Sequence, residues 1–211
     1  MPKIPAETRL IIFDCDGVLV DSETLSNAIM AEALTAQGWP ISGAESMARF
    51  KGGHMHQVHA ALEAQLGRSL SRDWLVEFDA ACQIALTNVK AVDGIDALIT
   101  RVETAELSMC VASQGPHEKM AVTLKAAGFD KLFAGKIFSS RDVEHPKPAP
   151  DLFLHAARSC SAAPEHCLVI EDSLTGVSAA KAANMQVIYL NAAGDILDGV
   201  KTARHPDDIM L

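Results

Sequence analysis

The sequence predicts an α/β protein: a mostly parallel sheet with helices on both faces, interrupted after its first strand by a helical insertion. Three observations carry this expectation. Leu10 to Phe13 is a continuous apolar run of the kind that a strand buried on both faces requires. From Glu23 to about Lys90, strand-like runs vanish and long helical patterns replace them. After Val92-Asp93-Gly94, strands and helices alternate, which implies right-handed βαβ crossovers.

Within the insertion, helices are expected over 23–37, 54–66 and 71–89. Gly38-Trp39-Pro40 closes the first, and Gly52-Gly53 interrupts the middle. Leu62 and Leu66 give the second an apolar face at helical spacing. Beyond the insertion, strands are expected at 107–112, 136–138, 167–170 and 187–190. Helices are expected at 116–127, closing at Gly128, and at 151–160 and 173–184. The domain boundaries that follow are 1–22 with 91–211 for the sheet-bearing core and 23–90 for the insertion. The last fifteen or so residues carry no assignable element.

With 211 residues the chain holds one large domain or one domain with an insertion, and its 49% apolar content is ample for a core. No apolar run approaches the ~20 residues that cross a bilayer. Met-Pro-Lys-Ile-Pro leads directly towards the first strand without a signal-peptide pattern. The five cysteines are an odd number with no Cys-x-x-Cys pair, which fits a reducing cytoplasm. A net charge of −9 argues against nucleic acid or anionic membranes as main partners. An anionic ligand must then be held by a few placed cations, backbone amides and a metal.

In a parallel sheet, ligands bind outside the carboxyl ends of the strands. After the first strand stand Asp14 and Asp16, two residues apart on extended chain and able to converge, then Gly17 for a sharp turn. Two close carboxylates need a cation or a shared proton. After the second strand, Ser113-Gln114-Gly115-Pro116 opens a helix whose free N–H groups suit an anion, with the Ser113 hydroxyl beside them. After the third, His145-Pro-Lys147-Pro-Ala-Pro150 holds one lysine between prolines and presents it at a fixed place. After the fourth come Glu171-Asp172-Ser173; helix capping explains one acidic residue there better than two. Capping, a solvent lysine or a plain turn would each account for one of these features taken singly. Together they supply a nucleophile, an acid/base, an anion donor, a fixed cation and a metal seat, which is what phosphoryl transfer needs.

In the order Asp-x-Asp-Gly-Val, Ser, Lys-Pro-x-Pro, Glu-Asp-Ser, the chain resembles the haloacid dehalogenase superfamily of phosphohydrolases. It is most similar to the subfamily with a helical cap after the first motif, which includes β-phosphoglucomutases and sugar phosphatases. Arg49-Phe-Lys-Gly52, Gly115-Pro with Lys119-Met120, and Lys131-Leu-Phe-x-Gly135 resemble the bacterial 6-phosphogluconate phosphatases. The resemblance implies a Rossmann-like core with an inserted cap domain. It also implies an Mg²⁺-dependent phosphatase for a small sugar or sugar-acid phosphate, such as 6-phosphogluconate. By similarity Asp14 attacks phosphorus to form an aspartyl phosphate, Asp16 is general acid and base, and Ser113 and Lys147 grip the phosphoryl oxygens. Asp14, Asp16 (through its carbonyl), Asp172 and Glu171 would hold Mg²⁺, with Gly17 and Gln114 beside the substrate. Gln114 stands where many relatives carry asparagine.

Specificity is expected from the cap. Arg49 and Lys51 are the only cations between Glu23 and Gly67, and with Gly52 they suit a second anionic group on the substrate. A solvated pair at a helix end would look the same. For His54, His56 and His59 no carboxylate partner is evident in the sequence, and they are read as structural. The alternative function is a phosphosugar mutase. That group carries a cap histidine twelve residues after the nucleophile, where this chain has Ser26. A non-catalytic binding protein on the same fold is a further alternative, but no metal-site carboxylate is missing. The expected partner is a small phosphorylated metabolite, and the expected state a monomer or weak dimer.

Overall fold

The computed structural model describes residues 1–50, 55–69 and 73–211. The chain divides into two compact units, Met1–Val20 with Lys90–Leu211, and Asp21–Val89. Among the described residues no helix is long and apolar enough to cross a membrane.

The larger unit is built on β1 (Leu10–Phe13), β2 (Ser108–Ser113), β3 (Ile137–Ser139), β4 (Cys167–Glu171), β5 (Gln186–Leu190) and β6 (Lys201–Ala203). They form one sheet in the order β3-β2-β1-β4-β5-β6, every neighbouring pair parallel. β1 lies between β2 and β4, so neither of its edges is open, and all four of its residues are buried. Leu10 and Ile12 pack in one cluster with residues of α7 (Asp151–Ser159) and α8 (Leu174–Ala182), including Leu152, Phe153, Val177 and Ala180. On the opposite face, Phe13 meets the Phe133 ring edge-on at 6.1 Å. The remaining helices of this unit are α5 (Ile95–Thr104) and α6 (His117–Ala126). Helices on both faces explain why β1 reads as an unbroken apolar run rather than an alternation.

The smaller unit contains α1 (Ser22–Ala36), α2 (Gly43–Phe50), α3 (Met55–Leu66) and α4 (Asp73–Ala85). Its core gathers Met30, Leu34, Val58, Leu62, Trp74 and Phe78, with the last two rings stacked at 5.8 Å. Asp21 caps α1 by accepting from Thr24 N at 3.2 Å.

Three elements lie where the sequence suggests none. Helix α2 opens with Ser42 and Glu45 satisfying each other's backbone N–H groups, a reciprocal cap written as Ser-x-x-Glu. Helix α5 begins after Gly94, whose φ is +77° and which offers no capping side chain; its buried Ile95, Leu98, Ile99 and Val102 nonetheless keep helical spacing. Strand β6 is three residues at the sheet edge, too short to leave a pattern, and occupies part of the C-terminal stretch that carried no assignment. The helix expected over 71–89 ends at Ala85, and a 3-10 turn at Leu86–Asn88 follows it.

Candidate active site

The larger unit brings its chemistry to the carboxyl ends of three adjacent strands. Phe13 pairs with Val111 on one side and Ile170 on the other, and the Asp14 N–H donates to the Ile170 carbonyl at 3.0 Å. The register therefore sets Asp14 beside Glu171, with Ser113 one step along β2.

Lys147 arrives here from the loop after β3 and is only 4% exposed. Its ammonium donates to Asp14 Oδ1 at 2.6 Å, to Glu171 Oε1 at 2.7 Å and to the Ala112 carbonyl at 3.1 Å. The ammonium also lies 4.6 Å from the centre of the buried Phe153 ring. A buried ammonium is tolerable only when its protons are satisfied, and here three acceptors meet them. Burial pushes the Asp14 carboxyl up to about 7; Lys147 opposes the rise and Glu171 adds to it. Burial works against the Lys147 ammonium too, but Asp14 and Glu171 outweigh it and hold the group above its usual value. With Asp14 ionised, two carboxylates face one ammonium and the cluster carries excess negative charge.

The second oxygen of Glu171 accepts from Ser173 N at 2.6 Å and from Ser173 Oγ at 2.9 Å. Ser173 Oγ in turn accepts from Gly176 N at 3.0 Å and caps α8. A Cβ on Gly176 would fall 1.8 Å from Glu171 Oε1. Gly176 is therefore a glycine because Glu171 occupies the space its side chain would need.

Around the cluster, the Asp172 carboxylate lies over Gly17, whose φ is +78° and whose Cβ would fall 2.1 Å from Asp172 Oδ2. Both oxygens of Asp16 accept from Lys119 Nζ at 2.8 Å. Ser113 is buried, and its Oγ accepts from Gly115 N at 3.3 Å. Gln114 Nε2 donates to the Lys147 carbonyl at 3.2 Å, tying the second and third loops together. The Ser139 and Ser140 hydroxyls donate to the Gly115 and Gln114 carbonyls, both at 2.8 Å.

Residues 8–184 match the haloacid dehalogenase-like hydrolase family. The chain belongs to that family. Among its relatives, 6-phosphogluconate phosphatase of Escherichia coli (strain K12) is 29% identical over 184 residues, covering 86% of this chain and 82% of that one. A conserved haloacid dehalogenase-like protein of Agrobacterium tumefaciens str. C58 is 31% identical, with a TM-score of 0.81 and 95% of each chain covered. A family hydrolase of Deinococcus radiodurans R1, solved with bound phosphate and sodium, is 27% identical with a TM-score of 0.85, covering 97% of this chain and 94% of that one.

The donors at this hydrolase's strand ends fit a hard dication. Mg²⁺ takes oxygen ligands and works through one or two carboxylates completed by water and substrate phosphate. Asp14 and Asp172 offer such a pair, and the surplus negative charge beside Lys147 is what a dication would balance. Among the described residues no three His, Cys, Asp or Glu side chains gather as metal ligands.

Glu171, placed by the sequence among the metal donors, directs its oxygens to Lys147 and Ser173 and holds the lysine. Gly17, placed beside the substrate, has Asp172 against it. Arg49 belongs to the smaller unit, where its guanidinium lies 5.4 Å from the Trp39 ring centre at the end of α2. Lys51, Gly52, His54 and the His56 side chain lie outside the described residues. Sequence reasoning overlooked Lys119 as a site residue; its signal was position, two residues inside a helix that opens at a strand end.

Proposed function

We propose that this hydrolase removes phosphate from small sugar or sugar-acid monoesters, with Mg²⁺, through an aspartyl phosphate on Asp14. That it is a phosphatase rests on family membership and on the activity named for its Escherichia coli relative. The phosphate in the Deinococcus radiodurans relative supports the substrate's reacting group. The observation that carries the reading is the buried Lys147 ammonium shared between Asp14 and Glu171 at the strand ends.

Lys147 holds one oxygen of Asp14 and so fixes the carboxylate, leaving its other oxygen to attack phosphorus. The P–O bond to the sugar breaks as the Asp14–phosphorus bond forms, and Asp16 gives a proton to the departing alkoxide. Asp16 then takes a proton from the water that attacks the phosphorylated Asp14, which releases inorganic phosphate and restores the carboxylate. Ser113 Oγ and the backbone N–H groups that open α6 donate to phosphoryl oxygens. Bound at Asp14, Asp172 and the Asp16 carbonyl, Mg²⁺ would supply charge neutralisation on the phosphoryl group. The helical insertion selects the sugar, with Arg49 as the reader of a second anionic group.

The test is phosphate release from a panel of phosphorylated metabolites, with Mg²⁺ and with EDTA. Mg²⁺-dependent release concentrated on sugar or sugar-acid phosphates, abolished by Asp14→Asn, is the expected result. With Arg49→Ala, KM should rise about 10-fold for sugar-acid phosphates and little for neutral ones. Conversion of one sugar phosphate to its isomer under a bisphosphate primer, without net phosphate release, would replace the hydrolase with a mutase.

A further inference from the structure

Lys119 is the feature of this site that the proposed chemistry does not yet use. It is the third residue of α6, near the positive end of the helix dipole, where a cation is disfavoured and an anion preferred. Glu118, its neighbour, follows that preference; Lys119 does not. What offsets the placement is Asp16, whose two oxygens each lie 2.8 Å from the one ammonium. A single nitrogen held between both oxygens of a carboxylate fixes the rotation of that carboxylate as well as its position.

The pair is not a loose surface contact. Each side chain is 27% exposed. The lysine stem passes Gly115: Lys119 Cδ, Asp16 Oδ2 and Ser113 Oγ all lie 3.7 Å from where a Cβ on Gly115 would stand. The segment carrying Lys119 is itself pinned. Ser139 and Ser140 hold the carbonyls of the loop before α6. His117 lies 2.8 Å from Asp142, and Arg141 donates to Glu118 at 3.0 Å. Asp142 is fixed in turn by the Ser139 N–H at 2.8 Å. Two ties from the β3 end to the loop before α6 and two to its first turn make a platform that carries Lys119 beside Asp16.

We propose that Lys119 is a positioning residue for proton transfer, holding the Asp16 carboxylate in the orientation from which it serves the leaving oxygen and the attacking water. The inference rests on the phosphatase reading above and assigns one further residue to it. A proton donor displaced by a fraction of an ångström loses much of its effect, so a group that fixes the rotamer contributes to rate without touching substrate.

The test compares wild type, Lys119→Met, Lys119→Arg, Asp16→Asn and the Lys119→Met/Asp16→Asn double variant with two substrates. One is a sugar phosphate that wild type hydrolyses, whose alkoxide needs a proton to leave. The other is p-nitrophenyl phosphate, whose phenolate needs none. Lys119→Met should lower kcat for the sugar phosphate by about 10–100-fold with KM moved by less than about 3-fold, and lower kcat for the aryl ester several-fold less. Lys119→Arg should recover part of the loss, because it keeps a cation on the same stem. In the Asp16→Asn background, Lys119→Met should cost little more, since the two residues act as one unit. Equal losses on both substrates, an effect confined to KM, or additive losses in the double variant would overturn the assignment. Absence of phosphate release by wild type would instead overturn the phosphatase reading, so the two failures are distinct.

Discussion

Gly176→Ala gives a prediction in which local and tertiary physics have opposite signs. Position 176 lies inside α8, where alanine is favoured over glycine by about 1 kcal/mol. By propensity alone the substitution stabilises. The structure reverses the sign, because the new Cβ would fall 1.8 Å from Glu171 Oε1 and 1.9 Å from its carboxyl carbon. Glu171 is 1% exposed and holds Lys147 at 2.7 Å, so it has no solvent to retreat into and must break that contact to move. Separating one partner of a buried ion pair costs about 3–5 kcal/mol. Less the propensity gain, the variant should be less stable by roughly 2–4 kcal/mol, a fall in Tm of roughly 5–15 °C for a chain of this size. Calorimetry and far-ultraviolet circular dichroism are the suitable probes, since both tryptophans, Trp39 and Trp74, lie in the smaller unit and report on it. Activity should fall by about 100-fold, because Lys147 no longer fixes Asp14. A variant as stable as wild type and as active would refute the claim that Glu171 fills the space beside α8.

Two further outcomes follow from the same cluster. Gly17→Ala places a side chain 2.1 Å from Asp172 Oδ2 on a backbone with φ of +78°, so it should raise the Mg²⁺ concentration for half-maximal activity by at least about 10-fold while Lys147 and Asp14 stay paired; an unchanged Mg²⁺ titration would argue against Asp172 as a donor. Without divalent cation, the raised Asp14 pKa means that the folded chain binds more protons at this group than the unfolded chain between about 4 and about 7. The stability it contributes is present at the low end of that window and lost as pH rises through the folded value. Chemical denaturation across the window should show Asp14→Asn flattening this slope, and an unflattened slope would place the titration elsewhere.

The parallel sheet was legible because its code is coarse. A strand covered on both faces needs only to be apolar, and Leu10–Phe13, Cys110–Ala112, Cys167–Ile170 and Val187–Leu190 satisfy that without regard to neighbours. Elements whose stability is tertiary left less trace. Strand β6 exists because β5 offers it an edge, and three residues carry no period. Helix α5 has a clear apolar stripe, but it starts on Gly94 after an aspartate, a pair that reads as a turn. Helix α2 writes its start in Ser42 and Glu45, but Gly52-Gly53 soon after it reads as a break.

The site divides along the same line. Asp14, Asp16, Ser113, Lys147, Glu171 and Asp172 are visible in the chain because each sits immediately beyond a strand or in a proline-fixed loop, and strand ends are where parallel sheets put ligands. What the chain does not display is which side chain holds which. Glu171 and Asp172 are adjacent and chemically alike, yet one turns inward to Lys147 and Ser173 while the other lies over Gly17. Glu171 is the last residue of β4 and Asp172 stands in the bend after it, so the two side chains leave the strand end in different directions. That difference separates a carboxylate that positions a lysine from one that lies against Gly17. The two glycines then complete the argument, because Gly176 clears space for the first and Gly17 for the second. A glycine in a helix interior and a glycine after an aspartate pair each look locally wasteful or merely flexible. Each marks the direction in which a neighbouring carboxylate points, so the missing side chains are the part of the sequence that specifies the geometry of the acidic ones.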